Sequence, residues 1–234
     1  MKAKSLITAF ALSLALSAVS AHGDEVFTVT LDTAPLTTTP DTAAGPFSLA
    51  FQLAQGDPAN PVNSATITDF SFGGGSAGAC PANCTTFGNV TGDATSSIGL
   101  STSDSFEAII QAFTPGTQLS FQVDLSTNPN TGVAPDDFAF SLLDASGSPI
   151  PTQDPSGADT FLTVMLNSTS PTIQTYASDS TTGTASGNVF ISLDAPAIGT
   201  ATPPTTTPEP GSFVLLATAL ALLGAATLRG PARC

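Results

Sequence analysis

The sequence predicts an all-β protein whose main domain is an antiparallel β-sandwich of jelly-roll-like form. Apolar and polar residues alternate through many short segments, and a period of two is typical of strands with one buried face. The 20 Gly and 19 Pro residues divide these segments at short intervals, as turns between strands do. Asp is the commonest charged residue, and it favours turns and disfavours helices. We therefore expect two packed sheets and no helix in the main domain.

About nine or ten candidate strands follow one another between Glu25 and Leu193, at spacings near those of antiparallel sandwiches. The alternation is clearest in residues 27–31, 47–53, 119–125, 138–142 and 162–166. Ile67 is out of phase with Phe70 and Phe72, which predicts a β-bulge near Asp69. Residues 189–193 form the last expected strand.

A turn signal at residues 114–117, with Pro115 followed by Gly116, separates two strand patterns. Short connections of this kind join antiparallel neighbours in many sheets. The sequence therefore predicts that residues 106–113 and 118–125 pair as a hairpin.

Both ends of the chain carry targeting signals. Lys2 and Lys4 precede an apolar stretch that ends in small residues at Ala21, so residues 1–21 are expected to be a signal peptide cleaved by signal peptidase. Residues 211–228 are uncharged and span about 27 Å as a helix, enough to cross a bilayer core. The domains are thus expected at 1–21 (signal peptide), 22–200 (β-sandwich ectodomain), 201–210 (Thr/Pro linker), 211–228 (transmembrane helix) and 229–234 (short basic cytoplasmic tail).

The charge balance excludes nucleic acid as a partner. The chain has 4 Lys and Arg residues against 18 Asp and Glu residues, which gives a formal net charge of −14. Phosphate binding needs Lys and Arg, and the only ones are Lys2, Lys4, Arg229 and Arg233, at the two ends. Arg229 and Arg233 place the tail on the cytoplasmic side.

The residue inventory also argues against catalysis. The single histidine, His22, lies at the processing boundary, which removes Ser–His and Cys–His nucleophiles. The expected ectodomain contains no Lys or Arg for Schiff-base or oxyanion chemistry. A carboxylate pair drawn from Asp136, Asp137, Glu107 or Asp159 leaves glycoside hydrolysis open, although nothing in the sequence singles out a pair. We therefore expect a non-enzymatic protein.

Calcium is the candidate cofactor that the carboxylates suggest. Asp-rich loops with Gly, Ser and Asn offer the hard oxygen ligands that calcium prefers. The alternative is that these residues form turns and keep the surface soluble. The candidate metal ligands are Asp136, Asp137, Asp144, Asp154 and Asp159.

Cys80 and Cys84 lie in a Gly- and Ser-rich segment and are expected to form a disulfide in an exported protein. A zinc site would need two further soft ligands nearby, and a redox pair usually has two intervening residues instead of three. So small a ring restrains a loop and adds little to global stability.

The C-terminus resembles a known sorting signal. Pro208, Glu209 and Pro210, the apolar span, and the tail with Arg229 and Arg233 are similar to the PEP-CTERM signal of Gram-negative bacteria, over the last 28 residues or so. The resemblance implies recognition by an exosortase, a membrane cysteine transpeptidase that cuts near the motif. An uncleaved C-terminal anchor is the alternative. Residues 135–144 and 154–159 more loosely resemble the ectodomain of a group of PEP-CTERM proteins with no assigned activity.

The leading functional expectation is an exported, exosortase-processed surface or extracellular-matrix protein associated with exopolysaccharide or biofilm. The family resemblance supplies the polysaccharide link. The expected route is an inner-membrane-anchored precursor that is then released to the cell surface or the extracellular space. The first alternative is a calcium-dependent carbohydrate-binding or adhesive module, and the second is a secreted glycosidase.

Overall fold

The computed structural model describes residues 25–38, 46–126, 128, 132–166, 171–185 and 189–201. All of them belong to one structural unit, Met1–Ala201, and a second unit, Thr202–Cys234, lies outside them. The expected signal peptide, the motif at Pro208, Glu209 and Pro210, the expected span 211–228, and Arg229 and Arg233 are also outside the described residues. Within the described part, no helix is long and apolar enough to cross a membrane.

The described residues form thirteen strands and one short helix. The strands are β1 (Glu25–Asp32), β2 (Phe47–Ala54), β3 (Ser64–Ser71), β4 (Ser76–Ala77), β5 (Cys84–Phe87), β6 (Thr91–Asp93), β7 (Ser97–Ser101), β8 (Phe106–Thr114), β9 (Gln118–Leu125), β10 (Asp136–Leu143), β11 (Leu162–Leu166), β12 (Thr172–Thr175) and β13 (Ala197–Thr200), and the helix is α1 (Ala34–Thr38). The first sheet has the order β13-β1-β9-β3-β7-β6, and the second has the order β12-β11-β10-β2-β8-β4, with β5 also paired to β8.

The all-β prediction is confirmed, because the described strands form two antiparallel sheets in a β-sandwich-like arrangement. Phenylalanine rings from the two sheets meet in the core. Phe121 of β9 lies with its ring centroid 5.1 Å from that of Phe51 in β2, and 5.1 Å from that of Phe140 in β10. The alternation predicted in β2 and β9 is confirmed by burial of every second residue. Edge-to-face contacts of this kind add to the free energy of burying the rings.

The predicted bulge is confirmed. The register between β3 and β9 shifts between Thr68 and Ser71, and Asp69 has a φ of 54°. Asp tolerates the left-handed conformation better than most residues. The change of phase between Ile67 and Phe70 is therefore a local feature that a single strand's pattern reveals.

The helix α1 was not expected from the sequence. Asp32 Oδ1 accepts a hydrogen bond of 2.9 Å from the Ala34 N–H, which satisfies a free donor at the helix start. Pro35 suits the first turn because its φ is already helical. Leu36 is buried and anchors this single turn to the core. A helix of five residues is too short to show the 3.6-residue period of a helix in the sequence.

The predicted hairpin is wrong. β8 pairs with β2, β4 and β5 in the second sheet, whereas β9 pairs with β1 and β3 in the first. The turn at residues 114–117 instead connects the two sheets. Its backbone bonds to two other segments: Thr117 N–H donates to Gly73 O at 3.0 Å, and Thr117 O accepts from Thr33 N–H at 3.1 Å. A turn signal marks where the chain reverses, but it does not say which strands then share hydrogen bonds.

The last predicted strand is also wrong. Val189, Ile191 and Leu193 are buried and Phe190 is 57% exposed, as the alternation indicates, but residues 189–193 join no ladder. Leu193 instead donates its N–H to Ser178 Oγ at 2.7 Å. The final strand is β13, which pairs with β1. Alternation predicts the buried face of an extended segment, whereas a ladder also requires a neighbouring strand within bonding distance.

Candidate functional site

The candidate site lies on the outer face of the second sheet. Successive side chains of a strand point to opposite faces, and in β10 the side chains of Phe138 and Phe140 point into the core. Asp137 therefore points outward. Its cross-strand neighbours are Met165 in β11 and Ala54 in β2. An acidic side chain thus stands between apolar neighbours on this face.

The segment between β10 and β11 borders a groove on this face, which we call the Asp137 groove. Its volume is about 360 Å3. Side chains of β10, β11 and β12 form the floor of the groove. The segment that connects β10 to β11 forms one wall. The lining residues are Pro135, Asp137, Asp154, Pro155, Ser156, Thr163, Met165, Gln174 and Tyr176.

The connecting segment is held by its own carboxylates. Asp154 Oδ1 accepts from Ser156 N–H at 2.8 Å, and its Oδ2 accepts from Thr160 Oγ1 at 2.6 Å. Asp159 Oδ1 accepts from Thr152 N–H at 3.0 Å. Short-range bonds of this type are the usual way in which Asp stabilises turns. The groove wall is therefore shaped by the sequence of the segment itself.

Asp144 stabilises a similar turn at the start of the segment that connects β10 to β11. Its Oδ1 accepts from Ser146 N–H at 2.9 Å and from Ser148 N–H at 3.1 Å. Gly147 in this turn has a φ of 79°, a conformation that glycine adopts without strain.

Asp136 is buried and carries no solvent-exposed surface. Its Oδ1 accepts from Gly56 N–H at 3.0 Å and from Asn60 Nδ2 at 2.8 Å, and its Oδ2 accepts from Asn63 Nδ2 at 2.9 Å. These bonds tie the connection between β2 and β3 to the start of β10. Asp136 therefore has a structural role on the inner side of the sheet.

The five candidate calcium ligands occupy different places. Only Asp137 and Asp154 line the same groove. The carboxylates of the other three accept hydrogen bonds in the buried network or in turns. Among the residues that the structure describes, no group of three or more His, Cys, Asp or Glu side chains is placed to hold a metal ion.

Asp137 and Asp154 have opposite electrostatic environments. Burial and, to a smaller extent, the negative charge of Asp154 together raise the pKa of Asp137 to about 6. Burial also opposes ionisation of Asp154, but hydrogen bonds from Thr160 and Ser156 outweigh it and lower the pKa of Asp154. Oδ1 of Asp137 is buried and has no hydrogen-bond partner. At pH 7 both groups are ionised, and the Asp137 carboxylate is poorly solvated.

Tyr176 and Gln174 complete the groove on the side of β12. Tyr176 Oη donates to Gln174 Oε1 at 3.1 Å, which orients both side chains. Sequence reasoning gave neither residue a role, although it noted Tyr176 as the one tyrosine of the chain. The pairing of β10, β11 and β12 brings them to the same groove as Asp137, and no local sequence pattern predicts that arrangement.

A second groove on the same face is apolar, and we call it the Phe87 groove. Its volume is about 390 Å3, and Phe87 and Phe106 line it. Their side chains are 48% and 43% exposed. Sequence reasoning assigned the phenylalanines mainly to the core. It missed these two because exposure of an apolar residue at a sheet edge has no signature in the strand pattern.

Glu107 does not share a groove with Asp137. It pairs in register with Leu53, on the inner side of the second sheet, and is buried. Its Oε2 accepts from Ser101 N–H at 2.7 Å, and its Oε1 has no partner. The carboxylate pair that the sequence left open therefore does not include Glu107 and Asp137 across one cleft.

Cys80 and Cys84 are joined by a disulfide, with Cα atoms 5.2 Å apart. Cys84 begins β5 and lies opposite Gln111 of β8. Cys80 N–H donates to Asp93 Oδ2 at 3.2 Å, so the ring also contacts the segment around β6. The disulfide therefore restrains a loop on the edge of the second sheet and lines neither of the two grooves.

Comparison of the chain with protein-family models, with curated proteins and with solved structures finds no match in any of the three. The chemistry of the Asp137 groove must therefore be inferred from the residues that line it, which supply two carboxylates, an amide, a phenol and apolar walls. A concave site of this composition suits a ligand rich in hydrogen-bond donors with apolar faces.

Proposed function

We propose that this chain is an exported surface or extracellular-matrix protein that binds polysaccharide and is not an enzyme. The observation that carries the proposal is the Asp137 groove, in which carboxylate, amide and phenol groups meet apolar walls on an exposed sheet face. A jelly-roll-like sandwich would present this face to an extended polymer. Sugar rings need this combination, because their hydroxyls donate hydrogen bonds and their C–H faces pack on apolar groups.

The proposed route follows from the two ends of the sequence. Signal peptidase removes residues 1–21, and the precursor stays in the inner membrane through residues 211–228. An exosortase then cuts near Pro208, Glu209 and Pro210 and releases the protein to the cell surface or the extracellular space. Polysaccharide is the partner that an exported protein meets there.

Charge supports a sugar over a phosphate-bearing partner. The described residues include no Lys, Arg or His, so the domain offers no cation to a phosphate or sulfate group. The groove instead offers acceptors, chiefly Asp137, Asp154 and the hydroxyl oxygen of Tyr176, and the amide donor of Gln174. These groups match the hydroxyl and amine groups of a neutral or basic sugar.

The test is binding of the exported protein to exopolysaccharide isolated from its host. We expect Tyr176→Ala to weaken binding about tenfold, because it removes an aromatic face and a hydrogen bond from the groove. Asp69→Asn is the matched control, since Asp69 lies on the first sheet and Asn tolerates its φ of 54°. Equal affinity of the parent and the Tyr176 variant would contradict binding in this groove, and no binding by the parent would contradict the function.

A second candidate is glycoside hydrolysis, favoured by the opposite pKa directions of Asp137 and Asp154. A carboxyl with a raised pKa serves as a general acid, and one with a lowered pKa stays ionised as base or nucleophile. Release of reducing ends from the exopolysaccharide, lost in Asp137→Asn, would favour this candidate. Binding without release favours the non-enzymatic proposal.

A further inference from the structure

We infer that the Asp137 groove selects polysaccharides that carry primary ammonium groups, that is, amino sugars whose nitrogen is not acetylated. The inference rests on the proposed function, because it names the class of polysaccharide that the same groove binds. It depends on how the carboxyl oxygens of the groove are satisfied.

Asp137 carries an acceptor that no donor of the described residues satisfies. Oδ1 of Asp137 is buried and accepts no hydrogen bond, while the residue itself lines the groove. An acceptor that is buried without a donor costs free energy, more so when it is charged. An ammonium group that approaches the Asp137 carboxyl from the groove offsets part of the cost of its charge, and a charged donor offsets more of it than a hydroxyl does.

The groove also carries negative charge with no positive side chain among its lining residues. Its only charged lining residues are Asp137 and Asp154, and the described part of the chain contains no Lys, Arg or His to neutralise them. The repulsion between these two carboxylates is relieved by a cation from outside. An ammonium group placed between them interacts favourably with both.

None of the described side chains around Asp137 supplies a positive charge, so the ligand must supply it. β2 presents Ala54 to it, and β11 presents Met165. The connecting segment contributes Asp154, β12 contributes Gln174, and the residue after β12 that lines the groove is Tyr176. Asp154 and Tyr176 are thus the titratable side chains that face Asp137, and neither is a cation at neutral pH.

An ammonium ligand suits the groove better than a calcium ion. Calcium takes six to eight oxygen ligands, several of them carboxylates, and within the described residues no group of three acidic, His or Cys side chains converges. Asp154 already accepts bonds from Ser156 and Thr160. An ammonium group needs only about three acceptors, and Gln174 with Tyr176 can bind the adjoining sugar hydroxyls.

The experiment measures dissociation constants of the exported protein for glucosamine oligosaccharides and for N-acetylglucosamine oligosaccharides of the same length. Spermidine, calcium chloride and the host exopolysaccharide are measured alongside them. The variants are Asp137→Asn, which keeps the shape of the side chain, and Asp69→Asn, which removes a carboxylate from the first sheet. Each protein is measured over a pH range that includes the ionisation of Asp137.

We expect the glucosamine oligosaccharides to bind about tenfold or more tightly than the acetylated ones. Asp137→Asn should remove that preference, and Asp69→Asn should keep it. For the parent, affinity should rise as the pH rises through about 6 and the Asp137 carboxyl ionises. It should fall again where the sugar ammonium loses its own proton, and the rise should be absent in the Asp137 variant.

Four results would overturn the inference. Equal affinity for acetylated and free amino sugars would show that the ammonium is not recognised. Spermidine or calcium binding as tightly as the sugar would show a cation site without sugar selectivity. Binding of the host exopolysaccharide with no binding of glucosamine oligosaccharides would refute the inference and leave the proposed function standing. Failure to bind any polysaccharide would refute both.

Discussion

Asp136 and Asp137 are neighbours in β10, yet their carboxyl groups lie on opposite faces of the second sheet and differ in hydrogen bonding. Asp136 accepts bonds from Gly56, Asn60 and Asn63, whereas Oδ1 of Asp137 accepts none. The first carboxylate stabilises the fold, and the second has a buried oxygen with no hydrogen-bond donor. The two residues therefore make opposite predictions for substitution.

Asp136→Ala should destabilise the protein strongly. It removes the acceptor of the buried Asn60 and Asn63 side-chain amides and of the Gly56 N–H, and each buried donor left unsatisfied costs about 1–3 kcal/mol. We expect the free energy of unfolding to fall by about 3 kcal/mol or more. Urea denaturation measures it, with Asp69→Asn as the control. A change below about 1 kcal/mol would show that the network contributes little.

Asp137→Asn should stabilise the protein at neutral pH. Its carboxyl has an ordinary pKa of 3.8, and the pKa in the folded protein is about 6. The folded state therefore binds more protons between these values, so the free energy of unfolding falls as the pH rises through this interval. After allowance for solvent screening, the loss is about 1–2 kcal/mol, and the Asn variant avoids it.

The measurement for Asp137 compares the unfolding of the variant with that of the parent at pH 4 and at pH 7. The advantage of the variant should appear at the higher pH and be smaller at the lower one. Asp57, Asp93 and Asp179 have lowered pKa values and act in the opposite direction, but they are present in both proteins and cancel. A difference independent of pH would contradict the raised pKa.

Calcium should raise the melting temperature no more than sodium chloride does at equal ionic strength. The carboxylates of Asp136, Asp144, Asp154 and Asp159 accept hydrogen bonds within the protein. Both salts then act by screening the repulsion between acidic groups. Thermal unfolding in matched salt series measures this. A larger shift in calcium would support the calcium-dependent adhesive alternative, because a bound ion stabilises the folded form.

Deletion of Pro208, Glu209 and Pro210 should trap the precursor in the membrane, because the exosortase resemblance implies a cut near this motif. Membrane fractionation and mass spectrometry of the released protein measure the effect. In the parent, the released form should lack peptides from residues 213–228. Unchanged release of the deletion variant would argue for a route that does not use the motif.

Local patterns predicted local structure well. The bulge near Asp69 was found because a change of phase is visible within a single strand. The predicted hairpin between β8 and β9 does not form, since the pairing of strands depends on neighbours that are distant in sequence. Asp32 and Pro35 together favour the start of a helix, but one turn is too short for the pattern to register.

The candidate site was predicted only in part. Asp137 and Asp154 stood in a group of five acidic residues, and the sequence offered no reason to separate them from Asp136, Asp144 and Asp159. Separation required the tertiary structure, in which only Asp137 and Asp154 of these five residues line one groove. Gln174 and Tyr176 were not singled out, because they meet Asp137 across two strand pairings.

The sequence by itself determined the all-β class, the buried face of most strands, the acidic charge and the prediction of export. These properties depend on composition and on a period of two, which are local. The tertiary structure decided which strands share a sheet, which aspartates accept hydrogen bonds within the protein, and that Asp137 and Asp154 line one groove. Those depend on contacts between residues far apart in the chain, where the low-dielectric surroundings and the hydrogen-bond partners of each carboxyl are established.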